Sequence, residues 1–305
     1  MPQTLEDLTR QMGSMSSIHS VVRTMKTLSV INSAPYERAG QAIEAYNQIV
    51  KDGLHAFVRA AGLMDGASET PGAVGAHVLV VFGSDHGLCG NYNEVLAATV
   101  ARSIKDRDGD GPTVLCVGAQ MADALADQSI LHDGLFLPPA SVDGIGRLAN
   151  ALTRHLDDIR RDAAPAEIAV DLAYTARSDG GAQEQHILPL LPLNTALLHE
   201  LQARPWSSRT LPTFTAPPAE LFQALIRGYL FSTLFKASAE AMVSENAARL
   251  ALMSQAEQSV EDRLDDLKAE ANTLRQSGIT SELLDVIIGF EALKKPRKNS
   301  KAKAS

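Results

Sequence analysis

The sequence predicts a mixed α/β protein in which long helices at the two ends of the chain form an antiparallel coiled coil, with an α/β domain between them in sequence. Three observations support this. An apolar stripe of helical period runs through the first 60 residues, short apolar runs alternate with helical segments in the middle, and no proline interrupts the chain between Pro218 and Pro296. Alternating strands and helices are typical of a mostly parallel sheet covered by helices.

The N-terminal segment, predicted over residues 1–60, has apolar residues mostly three and four positions apart, which places them on one face of a helix. Before Pro35 and after it, these residues are Leu5, Leu8, Met12, Met15, Val22 and Met25, then Ala39, Ile43, Tyr46, Val50, Leu54 and Phe57. Proline inside a helix removes a hydrogen bond and clashes with the preceding turn. The segment is therefore predicted either as one kinked helix or as two helices in series.

The middle segment, predicted as an α/β domain over residues 75–195, changes to a shorter rhythm. Strands are predicted at 77–83, 113–118, 132–137, 166–176 and 186–193, and helices at 91–106, 119–128 and 142–162. The run from Val78 to Phe82 is continuously apolar, as in strands covered on both faces. We expect a Rossmann-like domain with a mostly parallel sheet.

The C-terminal segment, predicted as one helix over residues 215–294, would be roughly 110 Å long at the usual rise per residue. Its predicted seam steps by three and four, as a coiled coil requires. The seam comprises Leu234, Ser238, Ala241, Glu245, Ala248, Leu252, Val260, Leu264, Leu267, Ala271 and Leu274. A basic, low-complexity tail follows at residues 295–305 and is predicted to be disordered.

Composition excludes several classes of function. The net charge of −8 argues against nucleic acid as a general partner, because phosphate binding needs a cationic surface. Cys89 and Cys116 have no metal-type spacing, and we expect neither a disulfide nor a zinc site. The polar start predicts no secretory signal, and no apolar run is long enough to span a bilayer.

A glycine-rich turn follows the first predicted strand, at Gly83-Ser84-Asp85-His86-Gly87-Leu88-Cys89-Gly90. Such turns can cradle phosphate on backbone amides and a helix N-terminus. The glycine spacing, however, matches neither the P-loop nor the dinucleotide-binding pattern. The alternative is a tight turn in which glycine permits positive φ and close backbone approach, with Asp85 and His86 exposed or capping a helix.

Motifs for catalysis are missing from the sequence. We find no nucleophile elbow, no zinc-protease helix and no cluster of carboxylates, so we predict no catalytic, cofactor-binding or metal-binding residues. Paired helices and a domain without a reactive site favour a mechanical or scaffolding role.

Three motifs then resemble one family. Residues 229–253, with Ser244-Glu245-Asn246-Ala247-Ala248-Arg249, and residues 275–289, with Arg275, Gln276, Ile279, Thr280 and Glu282, are similar to the γ subunit of F-type rotary ATP synthases. The turn at Ser84, Asp85, His86, Gly87, Leu88, Cys89 and Gly90 matches the same family, except that His86 replaces its arginine.

The resemblance implies a central-stalk rotor that couples ion flow through a membrane sector to ATP synthesis or hydrolysis. Its implied partners are the α and β subunits of the catalytic ring, the ε subunit and the c-ring, on the cytoplasmic side of a bacterial inner membrane. It also implies that Arg249, Arg275, Gln276 and Thr280 contact the β-subunit catch loop and neighbouring stator surfaces. The remaining alternatives are a coiled-coil scaffold and a nucleotide-binding α/β protein.

The chain departs from the family pattern in its first helix, where Lys26 and Pro35 are unusual. Together with His86, these differences resemble a divergent branch, such as the alternate bacterial ATPases of sodium type. The coupling ion stays open, either proton or sodium, because its ligands belong to the membrane ring.

Overall fold

The computed structural model describes residues 4–61, 74–107, 111–178, 180–193, 195–206, 208–210 and 212–294. The predicted basic tail lies outside these residues. The elements in chain order are α1 (Leu5–Ala61), β1 (Val74–Phe82), α2 (Tyr92–Lys105), β2 (Thr113–Val117), α3 (Ala119–Asp127), β3 (Gly134–Phe136), α4 (Val142–Ala163), β4 (Glu167–Arg177), β5 (Gln183–Leu191), α5 (Thr195–Ala203) and α6 (Pro218–Lys294).

The predicted fold class is confirmed, and the structure refines it at two points. The N-terminal segment is one helix that contains Pro35, so the alternative of two helices in series is wrong. The short helix α5 was not predicted. The sequence-based domain boundaries, 1–60, 75–195 and 215–294, stay predictions. The described part of the chain forms two compact units: the smaller lies within residues 1–25 and 253–305, and the larger within residues 26–252.

The larger unit contains a five-stranded sheet in the order β3-β2-β1-β4-β5. Strand β1 pairs in parallel with β2 and β4, and β3 pairs in parallel with β2. Only β5 runs antiparallel, beside β4 at the sheet edge. Because parallel strands end at a common edge, the carboxyl end of β1 lies between those of β2 and β4, with the start of β5 beside them.

Strand β1 supplies the core on both faces of the sheet. Val78, Val80 and Phe82 pack into a cluster with α4 and α6, whereas Leu79 and Val81 pack into a second cluster with α2 and α3. This explains the continuous apolar run in the sequence, since side chains alternate across a strand and both faces are covered. Each fully buried aliphatic side chain contributes about 1.5–3 kcal/mol.

Helices α1 and α6 pair antiparallel within the larger unit. Gly228 of α6 lies against Val50, and the rings of Phe231 and Tyr46 are 6.4 Å apart. Further along, Lys236 Nζ donates to Glu44 Oε2 at 2.6 Å. Residue numbers rise on one helix as they fall on the other, which confirms the predicted antiparallel arrangement.

The smaller unit has its own antiparallel contacts between the two helices. Leu8 is buried with Leu267 and Ala271, and His19 Nε2 lies 3.2 Å from Glu261 Oε1. The predicted seam is therefore confirmed at Leu267 and Ala271. It is not confirmed at Leu274, whose side chain is exposed.

The predicted seam is not confirmed at two of its positions in the larger unit. Leu234 and Ala241 pack into the sheet cluster, not against α1. The residues that share a cluster with Tyr36 and Ala39 of α1 are instead Ala239 and Val243. A helix with several neighbours carries more than one apolar stripe, and periodicity alone does not identify which stripe meets which neighbour.

Candidate functional site: the foot turn and its contact with α6

The candidate site is the turn at residues 83–91, between β1 and α2, which we call the foot turn. Close packing explains two glycines here, Gly83 in the turn and Gly118 just before α3. A Cβ on Gly83 would lie 2.4 Å from Met121 Cβ, and a Cβ on Gly118, which has φ 106°, would lie 2.4 Å from the carbonyl oxygen of Ser84. Gly90 adopts φ 67°, a backbone conformation that favours glycine. Close approach between the foot turn and the start of α3 accounts for both Gly83 and Gly118.

Hydrogen bonds close the foot turn from inside. The Ser84 amide donates to Asn93 Oδ1 at 2.9 Å, and Asn93 Nδ2 donates back to Ser84 Oγ at 2.8 Å. Ser84 Oγ donates in turn to the carbonyl of His86 at 3.0 Å, and the Cys89 thiol points to the same carbonyl. Ser84, Asn93 and Cys89 are buried, and burial raises the pKa of the Cys89 thiol.

Asp85 caps a helix, which was one of the two alternatives predicted for it. Its Oδ1 accepts from the amide of Ala119, the first residue of α3, at 3.2 Å. A carboxylate therefore occupies the N-terminus of α3, where negative charge is stabilised. His86 is exposed and its Nδ1 lies 3.3 Å from Asp85 Oδ2.

Arg249 of α6 contacts the foot turn from outside. Its Nη2 lies 2.6 Å from Glu245 Oε1 and donates to the carbonyls of His86 at 3.4 Å and Gly87 at 3.3 Å. The side chain is only 12% exposed, and that of Glu245 is 7% exposed. Burial raises the pKa of the Glu245 carboxyl, and the neighbouring Arg249 guanidinium opposes this shift.

Two further side chains donate to the backbone of α6 nearby. Tyr92 Oη donates to the carbonyl of Ala241 at 3.0 Å, and Gln183 Nε2 donates to the carbonyl of Ser244 at 3.0 Å. Burial raises the pKa of the Tyr92 hydroxyl well above its usual value, which keeps it a hydrogen-bond donor. We call Tyr92, Gln183 and Arg249 the collar.

The remaining predicted contact residues belong to the smaller unit. Arg275, Gln276 and Thr280 are exposed on α6, and Thr280 Oγ1 donates to the carbonyl of Gln276 within the helix. The structure thus brings Arg249 to Gly87 and His86 and leaves the other three outside the foot turn. Their contact with a partner's catch loop stays a prediction.

Sequence reasoning missed Asn93, Tyr92, Gln183 and the pairing of Glu245 with Arg249. The four-residue spacing of Glu245 and Arg249 is a signal for an ion pair on a helix. Nothing in the sequence marks Asn93 or Gln183, because polar side chains at these positions are equally compatible with a solvated surface.

Within the described ranges, one group of side chains has metal-ligand character. His19, Glu257 and Glu261 of the smaller unit have ligand atoms within 4.8 Å of one another. The contact between His19 and Glu261 also has the geometry of an ordinary ion pair across two helices. No helix in the described part of the chain combines the length and apolar character needed to cross a membrane.

Paired terminal helices, a mostly parallel sheet and a turn filled by its own side chains define a helical-stalk protein with an α/β domain. Residues 4–293 match the family model described as ATP synthase. The chain belongs to this family.

Similar proteins span almost the whole chain. An ATP synthase gamma chain of Lachnoclostridium phytofermentans is 26% identical, over 95% of this chain and 99% of that protein. The gamma chain of Nitratidesulfovibrio vulgaris is 28% identical, over 92% and 96%. In fold, the chain resembles one in the Euglena gracilis mitochondrial ATP synthase OSCP/F1/c-ring structure, with a TM-score of 0.62, 16% identity, and coverage of 98% and 99%.

Proposed function

We propose that this chain is the γ subunit of an F-type ATP synthase and acts as the rotor of its central stalk. The observation that carries the proposal is the family match over residues 4–293. The relatives named gamma chains, which are covered over almost their whole length, agree with it. The antiparallel pairing of the terminal helices in each unit supports it independently.

In this role the chain performs no bond chemistry. The ATP sites lie on the α and β subunits, while the chain's α/β domain contacts the c-ring and the ε subunit at the cytoplasmic face of a bacterial inner membrane. Rotation driven by ion flow presents different surfaces of α6 to each β subunit, and a rotor can shift conformational states only through such differential contacts. Hydrolysis drives the rotation backwards.

The far end of α6 supports enclosure by partner subunits. Large apolar side chains are exposed there, at Ile279, Leu283, Leu284, Val286, Ile287, Ile288 and Phe290. An exposed apolar surface of this extent is typical of an interaction site. Arg275, Gln276 and Thr280 on the same stretch offer hydrogen-bonding groups whose contacts are made and released at modest net cost.

The test is rotation of the chain within its complex. Leu131 in the α/β domain is 86% exposed, whereas Cys89 and Cys116 are both buried free thiols. The variant Leu131→Cys therefore accepts a single optical probe without removal of native cysteines. With α and β subunits fixed to a surface, ATP should drive rotation of the probe in one direction.

A matched control carries the same probe on a fixed β subunit, where no rotation is expected. An assembled complex that hydrolyses ATP while the probe on Leu131→Cys stays stationary would contradict the proposal. The nucleotide-binding alternative is tested by calorimetric titration of the isolated chain with ATP, ADP and NAD. Because the foot turn is occupied by Asp85 and Asn93, we expect no saturable binding.

A further inference from the structure

The hydrogen bonds of the collar involve a short stretch of α6, from Ala241 to Arg249. We propose that the collar fixes the α/β domain in rotational position on α6 and so transmits torque between them, with Arg249 as its principal positioning residue. This inference rests on the proposed rotor function and adds to it the contact through which force passes inside the chain.

The geometry of the collar comes from three separate segments of the α/β domain. Tyr92 begins α2, Gln183 begins β5, and the carbonyls of His86 and Gly87 belong to the foot turn. Two of these contacts donate to carbonyls of α6, and the third runs from α6 to the domain. All lie where the parallel strands β1 and β4 end, so the domain holds α6 from several directions at one edge of its sheet.

The rest of this interface is mostly apolar, with large side chains such as Tyr229 and Phe235 packed beside smaller ones, and with the Arg227–Asp157 ion pair at its surface. Leu230, Leu234, Ala237 and Ala241 of α6 pack into the sheet cluster. Burial of apolar surface is non-directional, and alanines present little relief to oppose turning of a helix about its axis. Hydrogen bonds weaken steeply when their angle changes. The collar therefore adds directional resistance to rotation to that of the packed side chains.

The buried pair of Glu245 and Arg249 fits a positioning role. An arginine at the surface keeps its charged group in water, but the Arg249 guanidinium is held against the foot turn with Glu245 also buried. Glu245 is one helical turn away and orients the guanidinium toward the two carbonyls. A buried ion pair often contributes little net stability. We therefore assign to this pair the orientation of the Arg249 guanidinium.

The first test measures whether Arg249 holds the foot turn. In the full-length chain, the variant pair Glu245→Gln and Arg249→Met together removes both charges, and methionine keeps much of the apolar stem. Loss of the two bonds to the turn should increase thiol modification of Cys89 by about tenfold through local opening. Cys116, buried in β2, serves as an internal reference and should react as slowly as in the wild-type chain.

A matched control is Arg227→Met. Arg227 also lies on α6 and reaches the α/β domain, with Nη2 3.0 Å from Asp157 Oδ2, but its side chain is 65% exposed. We expect no change in Cys89 modification for this variant. Equal Cys89 rates in the collar double variant and the wild-type chain would overturn the role of Arg249.

The second test measures torque in the holoenzyme. In membrane vesicles, ATP hydrolysis is compared with ATP-driven uptake of protons or radioactive sodium ions. The collar double variant should keep ATP hydrolysis and lose ion uptake per ATP. We expect the same direction of change for the milder variant Gln183→Ala, which replaces the double variant in this test if the latter fails to assemble. Arg227→Met should keep the wild-type ratio.

Unchanged coupling in an assembled collar variant would refute torque transmission even if Cys89 becomes reactive. Failure of the wild-type complex to couple at all would instead refute the proposed rotor function, and torque transmission with it. The Cys89 measurement separates these cases, because it uses the isolated chain and reports on the contact of Arg249 with the foot turn alone.

Discussion

Two stretches of the same helix, α6, have opposite surroundings. From Leu230 to Glu245, every side chain is buried or partly buried, with Leu234 at 0% exposure. Beyond Ala271, every described side chain whose exposure is defined is exposed, including Ile287 and Phe290. The first stretch finds its partners within the chain, and the second presents an apolar surface that a different subunit would cover in the proposed rotor. The predictions below test this difference.

The largest expected effect follows from removing all of α6 beyond Leu252, the exposed stretch included. A chain truncated after Leu252 should lose all coupling between ATP hydrolysis and ion uptake, because the part of α6 offered to partner subunits is gone. Vesicles with the reconstituted complex provide the measurement, and a chain that lacks only residues 295–305 provides the control. Full coupling in the complex truncated after Leu252 is incompatible with the mechanical role.

The sequence was sufficient to predict the sheet and every described helix except α5, and insufficient to predict the neighbours of α6. Proline-free length and apolar period identify a helix whatever it packs against, and alternating strands and helices identify the sheet. The assignment of Leu234 and Ala241 to the coiled-coil seam was not confirmed, because both are equally suited to a sheet. Resemblance to the family singled out Arg249, but its contact with the foot turn depends on the folded positions of His86 and Gly87.

A second prediction compares one leucine from each stretch. Leu234→Ala should lower the free energy of unfolding of the larger unit by about 2–5 kcal/mol, since it leaves a cavity between α6 and the sheet. Leu283→Ala, at an exposed site, should change it by no more than about 0.5 kcal/mol. Denaturant unfolding of the isolated chain provides the measurement. Equal effects of the two substitutions would show that the stretches do not differ in packing as described.

A third prediction uses the buried carboxyl of Glu245. Burial raises its pKa, so the folded state retains the proton at pH values where the unfolded state has lost it. The contribution of Glu245 to stability is therefore fully present below the pKa of an exposed glutamate, about 4.3, and is lost as pH rises through the folded pKa.

The variant Glu245→Gln has no proton to lose at this position. The free energy of unfolding of the wild-type chain, minus that of the variant, should fall as pH rises from about 4 to about 7. Denaturant unfolding at several pH values tests this. A difference that grows with pH would mean that Arg249 outweighs burial and that the pKa is lowered.

The smallest expected effect concerns a surface ion pair on α6 in the smaller unit. Lys268 Nζ lies 2.8 Å from Asp265 Oδ1, with both side chains more than half exposed. Each charge keeps most of its hydration, and salt screens the attraction, so Asp265→Asn should cost no more than about 0.5 kcal/mol. Hydrogen exchange of the surrounding helix in low and high salt provides the measurement. Local protection that collapses in this variant would show that this part of α6 depends on its own surface charges.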